Sequence, residues 1–163
     1  MKKVDLHVHS TYSDGTNTPK ELIKLAENEG LSAIALTDHD TLDGIPDALD
    51  AAKNSSVELI PGVELSTNFN NTEVHIVGLF LDHNNKQIND YLKHQRQSRI
   101  DRNIQMCQKF CDIGINITYD KMCELYPDAV ITRAHFADYL VKNKYTGDRN
   151  EAFDRLSLIH ISE

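Results

Sequence analysis

Val4-Asp5-Leu6-His7-Val8-His9-Ser10-Thr11-Tyr12-Ser13-Asp14-Gly15 is the stretch around which the rest of the chain is read. Side chains alternate across a strand, so His7 and His9 share one face while Leu6 and Val8 share the other. Two imidazoles so placed can point at one ion. Asp14 follows in a Ser-Asp-Gly turn, close enough to fold back over the same face. A single histidine on a strand is usually packed or solvated. An alternating pair among β-branched and apolar residues, trailed by an aspartate, is a candidate metal-binding motif.

Working outward, Thr18 is suited to cap a helix, Pro19 to open it, and Glu21 to complete a capping box. Leu22, Ile23, Leu25 and Ala26 give that helix an apolar stripe, and Gly30 ends it. Residues 32–37, Ser-Ala-Ile-Ala-Leu-Thr, read as a buried parallel strand that delivers Asp38, His39 and Asp40 at its end. A helix is expected over Pro46–Lys53, a third strand over Val57–Ile60 leading into Pro61-Gly62-Val63-Glu64, and a fourth over Glu73–Phe80 with His75 inside it. The order strand, helix, strand, helix, strand, strand predicts an α/β layer with a mainly parallel sheet. Ligands bind such sheets beyond the carboxyl ends of the strands. His9, Asp14, His39 and Glu64 are expected at or just past those ends.

After Asp82 the chain becomes polar, charged and helical. Helices are expected over Asn84–Ile113 with Gly114 as the stop, around Asp120–Tyr126 before Pro127, over Arg133–Lys142 behind a Thr132 cap, and over Asn150–Leu156. The boundary is therefore placed near residue 84, giving an α/β part over 1–83 and an all-helical part over 84–163.

Composition narrows the function. The 163 residues are 40% apolar and 26% charged, with a net charge of −8. Broad duplex binding needs a basic surface, so duplex DNA is not an expected partner. An acidic protein that takes a phosphorylated ligand needs metal ions or a local Arg and Lys cluster. No apolar run approaches the ~20 residues of a membrane span. Met1-Lys2-Lys3 leads straight into a strand without a signal-peptide pattern, so a cytoplasmic protein is expected. Cys107, Cys111 and Cys123 read as reduced thiols.

Collected, the candidate ligands are His7, His9, Asp14, His39, Glu64 and His75. Mixed imidazole and carboxylate donors suit Zn, Mn or Fe. Six are too many for one tetrahedral ion and point to a cluster bridged by a carboxylate such as Glu64. Such sites clamp a phosphoryl group and activate a bridging water or hydroxide for attack.

Residues 5–15, Leu36-Thr-Asp-His-Asp-Thr41, Pro61-Gly-Val-Glu64 and Val74-His75 resemble the successive motifs of the polymerase and histidinol phosphatase (PHP) family. The resemblance covers residues 1–82 closely. It implies a distorted seven-stranded β/α barrel with three divalent ions. By it, His7, His9 and Glu64 hold the first, Glu64 and His75 contribute to the second, and Asp14 and His39 hold the third. Arg99-Ile-Asp-Arg102-Asn103, Gly114-Ile-Asn-Ile-Thr118, Ile131-Thr-Arg-Ala-His-Phe-Ala137 and Glu151-Ala-Phe-Asp-Arg155 resemble a helical insertion in stand-alone PHP phosphoesterases. Those enzymes act on nucleoside 3′,5′-bisphosphates, and some trim short RNA from its 5′ end.

The resemblance also implies a further His and an Asp-x-His pair after the insertion, which this sequence does not contain. The chain is accordingly expected to be an N-terminal fragment, inactive alone, with an off-pattern tail over 156–163 whose His160 is no ligand. Arg133 and His135, two apart near a helix start, are expected to touch the substrate phosphate, as are Arg99 and Arg102, three apart on one helix; the alternative for Arg96, Arg99 and Arg102 is a solvated helix face. Two competing functions are a histidinol-phosphate phosphatase and a noncatalytic, polymerase-associated PHP module.

Overall fold

A computed structural model describes residues 2–70 and 72–158. His160 and the rest of the tail from residue 159 lie outside the described residues. Two compact units divide between Arg96 and Gln97.

The first unit holds β1 (Lys3–Val8), α1 (Pro19–Asn28), β2 (Leu31–Leu36), α2 (Ile45–Ala52), β3 (Glu58–Phe69) and β4 (Thr72–Leu79). It also holds the start of α3 (Lys86–Asp112). One sheet runs in the order β1-β2-β3-β4. β1, β2 and β3 are parallel, and β4 turns back antiparallel to β3. Thr18 and Glu21 form the expected capping box at α1, and Gly30 leaves the helix at a φ of +68°. The stripe Leu22, Ile23 and Ala26 packs on Ile34 and Leu36 of β2, joined by Ile45 and Ala48 of α2 and by Leu92 of α3. Each large apolar side chain so buried contributes roughly 1.5–3 kcal/mol.

β3 is longer than expected. The sequence suggests a strand ending at Ile60, because Pro61 and Gly62 are strand breakers. Instead the strand runs on to Phe69 by changing partners. Pro61 is the last residue in register with β2, opposite Leu36, and Gly62 the first in register with β4, opposite Leu79. Proline has no N–H to give to a ladder, but its carbonyl still accepts, from Leu81 N at 3.1 Å. Glycine is needed next to it: a Cβ on Gly62 would lie 2.8 Å from Thr37 Cγ2 and 2.9 Å from the Gly78 carbonyl. Glu64 therefore sits within a strand rather than in a loop past one.

The second unit holds the rest of α3, then α4 (Tyr119–Leu125), α5 (Arg133–Lys142) and α6 (Arg149–Leu158). Gly114, at a φ of +83°, ends α3. Its N–H reaches the Cys111 carbonyl and the Ile115 N–H the Phe110 carbonyl, both at 2.9 Å, which is a Schellman cap. The core gathers Phe110, Ile117, Met122, Phe136, Ala137 and Leu140. The Phe110 and Phe136 rings stack at 6.2 Å. All three cysteines are free; Cys107 is buried, Cys111 and Cys123 exposed. Among the described residues no helix is long and apolar enough to cross a membrane.

Two outcomes follow from this packing. Phe110→Ala is expected to destabilise the helical unit by about 3–5 kcal/mol, read by denaturant unfolding, because its ring is fully buried. Burial pushes the Cys107 thiol up to about 11. Iodoacetamide at mildly alkaline pH should therefore modify Cys111 and Cys123 and spare Cys107 until the protein unfolds, as peptide mass mapping will show.

Candidate metal centre

His9 follows the end of β1 directly, and His39 lies three residues past β2. The His39–Glu64 pairing and hydrogen bonds Asp40 N to Glu64 O, 3.0 Å, and Glu64 N to Asp38 O, 3.2 Å, tie the β2 end to the middle of β3. His75 reaches the same place from β4, where it stands opposite Ser66. Parallel pairing of β1 and β2 and antiparallel pairing of β3 and β4 thus converge six widely separated residues.

Glu64 is the hub. Its Oε2 lies 2.9 Å from His7 Nε2, 2.9 Å from His9 Nε2 and 3.6 Å from His39 Nδ1. Its Oε1 lies 2.7 Å from His75 Nδ1. Asp14 sits beside it, with Oδ1 at 3.2 Å from His9 Nδ1 and Oδ2 at 3.5 Å from His39 Nε2. Glu64 and His39 are buried, whereas the His7 side chain is 51% exposed, so the cluster has a closed floor and an open side. Three sets of potential ligand atoms fall within 4.8 Å of one another: His7, His9 and Glu64; His9, Asp14 and His39; His39, Glu64 and His75.

The donor chemistry fits divalent metal. Four imidazoles and two carboxylates offer nitrogen and oxygen lone pairs in close quarters, and that mixture suits Zn, Mn or Fe. Burial, the largest influence on both His9 and Glu64, works against their charged forms, yet each group supports the other's charge. His9 is raised above 6.5 because Asp14, Glu64 and Asp38 outweigh its burial. Glu64 is lowered below 4.5 because His7, His39, His75 and His9 outweigh its own.

The loop after β1 is held by Asp38 and by two serines that the sequence did not single out. Asp38 accepts from Ser10 N at 2.7 Å, Ser10 Oγ at 2.7 Å and Ser13 Oγ at 2.6 Å. All three residues are buried, and burial raises the Asp38 carboxyl despite these bonds. Ser13 Oγ is in turn 3.3 Å from His9 Nδ1. Asp38 thereby fastens the loop that carries Asp14. Asp40 bonds Ser66 N at 2.9 Å, and Asp5 bonds its own strand at His7 N, 3.2 Å. Gly15 closes the loop so tightly that a Cβ would lie 2.1 Å from the His9 carbonyl oxygen.

The four expected substrate contacts all belong to the second unit. Arg99 and His135 are buried there, and Arg102 and Arg133 half-buried. Arg99 is thus no solvated face of α3. His135 Nδ1 accepts from Thr132 N at 2.9 Å, closing a capping box at α5. In the first unit, Arg96 donates to Thr41 Oγ1 at 2.9 Å and to Asp43 Oδ2 at 2.6 Å.

The sequence pattern of the PHP domain matches residues 5–156. The chain belongs to the PHP domain family. This PHP chain is 42% identical over 154 residues to a 5′-3′ exoribonuclease of Haemophilus influenzae, covering 94% of the chain and 56% of that protein. It is 36% identical over 156 residues to a 3′,5′-nucleoside bisphosphate phosphatase of Chromobacterium violaceum, covering 94% and 54%. The fold superimposes on a protein described as a metal-dependent phosphoesterase from Bifidobacterium adolescentis with a TM-score of 0.86 at 28% identity, covering 99% of this chain and 57% of the other. The PHP chain spans about half the length of the curated relatives it matches. Its curled four-stranded sheet is that of a PHP barrel part.

The two pKa shifts set opposite pH trends with and without metal. In ion-free protein, the raised His9 adds stability below about pH 6.5 that is lost as pH climbs through its folded value. The lowered Glu64 adds stability above about pH 4.5 that is lost as pH falls. Metal needs His9 without its proton, so uptake strengthens over the same rise in pH that weakens the ion-free site. The Tm gain on adding Mn²⁺ or Zn²⁺ is expected to be larger at about pH 8 than at about pH 5.5. A gain independent of pH would contradict this electrostatic account of His9.

Proposed function

We propose that this PHP chain is part of a metal-dependent phosphoesterase that hydrolyses phosphate monoesters of nucleotides, with nucleoside 3′,5′-bisphosphates and the 5′ ends of short RNA as its substrates. The observation that carries the reading is the single buried carboxylate of Glu64, which lies within 2.9 Å of three imidazole nitrogens. His7, His9 and Glu64 would hold one ion, Glu64 and His75 a second, and Asp14 and His39 a third. Divalent ions held by these residues would supply positive charge against a phosphoryl group and would lower the pKa of water near them.

The remaining work falls to the protein. Asp38, Ser10 and Ser13 keep the Asp14 loop in place, and the closed floor around Glu64 and His39 limits water on one side. Arg99, Arg102, Arg133 and His135 would bind a substrate phosphate, with Arg133 at the first turn of α5, where helix geometry favours anions. The names borne by two relatives support nucleotide substrates. We read residues 1–83 as the first half of the barrel and 84–163 as its helical insertion.

The test is phosphate release by metal-loaded protein carrying this chain. Adenosine 3′,5′-bisphosphate should be turned over with a higher kcat/KM than histidinol phosphate. Glu64→Gln is expected to lower kcat/KM by at least ~100-fold, and Arg133→Ala by ~10–1000-fold if its guanidinium meets the phosphate. A preference for histidinol phosphate would replace the nucleotide reading with the histidinol one. Turnover unchanged by Glu64→Gln would remove the metal cluster from the chemistry.

A further inference from the structure

Asn103, on α3, is wholly buried. Its Nδ2 donates to the Ile131 carbonyl at 2.9 Å, while its Oδ1 is buried without a hydrogen bond. Turning the amide over would set oxygen against oxygen, so the donor end is fixed by its partner. The Ile131 carbonyl and the Thr132 N–H belong to one planar peptide group. That N–H donates to His135 Nδ1 at 2.9 Å. A single peptide is thus gripped at its oxygen by Asn103 and read out at its hydrogen by His135.

This arrangement selects one form of the imidazole. A backbone N–H can only donate, so Nδ1 must present a lone pair, and the ring proton of the neutral form then belongs on Nε2. The bond at the carbonyl polarises the peptide and strengthens the N–H as a donor. The Tyr126 ring, with its centroid 4.2 Å from that of His135, fixes the plane of the imidazole. Core stability alone does not account for Asn103. A buried acceptor left without a donor costs as much as, or more than, one neutral hydrogen bond contributes.

We propose that Asn103 is a positioning residue that acts through the Ile131–Thr132 peptide to hold His135 as a neutral ring with its proton on Nε2, a fixed donor for an anionic phosphate oxygen of the substrate. The donor role rests on the reading of His135 as a substrate contact; the tautomer does not. All the groups involved lie in the second unit, so the device needs nothing from the metal cluster.

Long-range proton–nitrogen correlation on histidine-labelled protein reads the tautomer directly. Wild type is expected to show His135 with its proton on Nε2 from about pH 6 to about pH 8. Asn103→Leu keeps the bulk and removes the donor. Asn103→Ala removes it together with the bulk. Either variant should convert the single form into a mixture and raise the KM for adenosine 3′,5′-bisphosphate about tenfold, with kcat held within about twofold. A proton on Nδ1 in wild type, or an unchanged tautomer in both variants, would overturn the positioning role. A tautomer that responds while KM stays fixed would overturn the donor role and the substrate reading of His135, and leave the nucleotide reaction to be judged on Glu64.

Discussion

A buried carboxylate ringed by imidazoles is the constraint on which the first unit depends. Glu64 is 5% exposed and has His7, His9, His39 and His75 around it. Burying a carboxylate is costly unless opposite charge or good donors surround it. The rings supply that compensation while protonated, and a cation supplies it once they are neutral. The sheet is the device that keeps them together. β1 brings two rings, the end of β2 brings one, and β4 brings the fourth from the opposite direction. Among the described residues no helix contributes to the cluster; α1 and α2 instead cover the apolar side of the strands that aim it.

Much of this could be read from the chain because it is written locally. The capping pair Thr18 and Glu21, the Thr132 cap and the Gly114 stop all act within a few residues, and the helices begin and end there. The six candidate ligands were legible for another reason. Histidines at strand spacing, with carboxylates at strand ends, are an uneconomical way to build a surface or a core, so residue type alone marks them. The structure brings all six together in overlapping groups, with His9, His39 and Glu64 each standing in two.

What stayed hidden depends on pairing over distance. Whether a strand survives Pro61 and Gly62 is decided by β4, a partner that no window around residue 61 contains. The Asp38 clamp joins residues 28 and 25 positions apart, and serines in a polar loop look like any solvated serines. Arg99 reads as one of three cations on an open helix face until α3 is packed, when it is found buried. In each case the sequence carries the residue but not the neighbour that gives it a role.

The partner change in β3 also divides the chain by its tolerance of length. In a strand, adding one residue turns every following side chain to the opposite face. Between Pro61 and Glu64 that rotation would swing the carboxylate out from among the imidazoles. Beyond Phe69 the same addition falls at the hairpin tip, where Asn70 already takes a φ of +52° and the ladder has ended. Across one continuous strand, then, a few residues separate a segment whose length is rigidly specified from one free to lengthen or shorten, and lineages of this protein would be expected to record indels on one side of Phe69 and substitutions alone on the other.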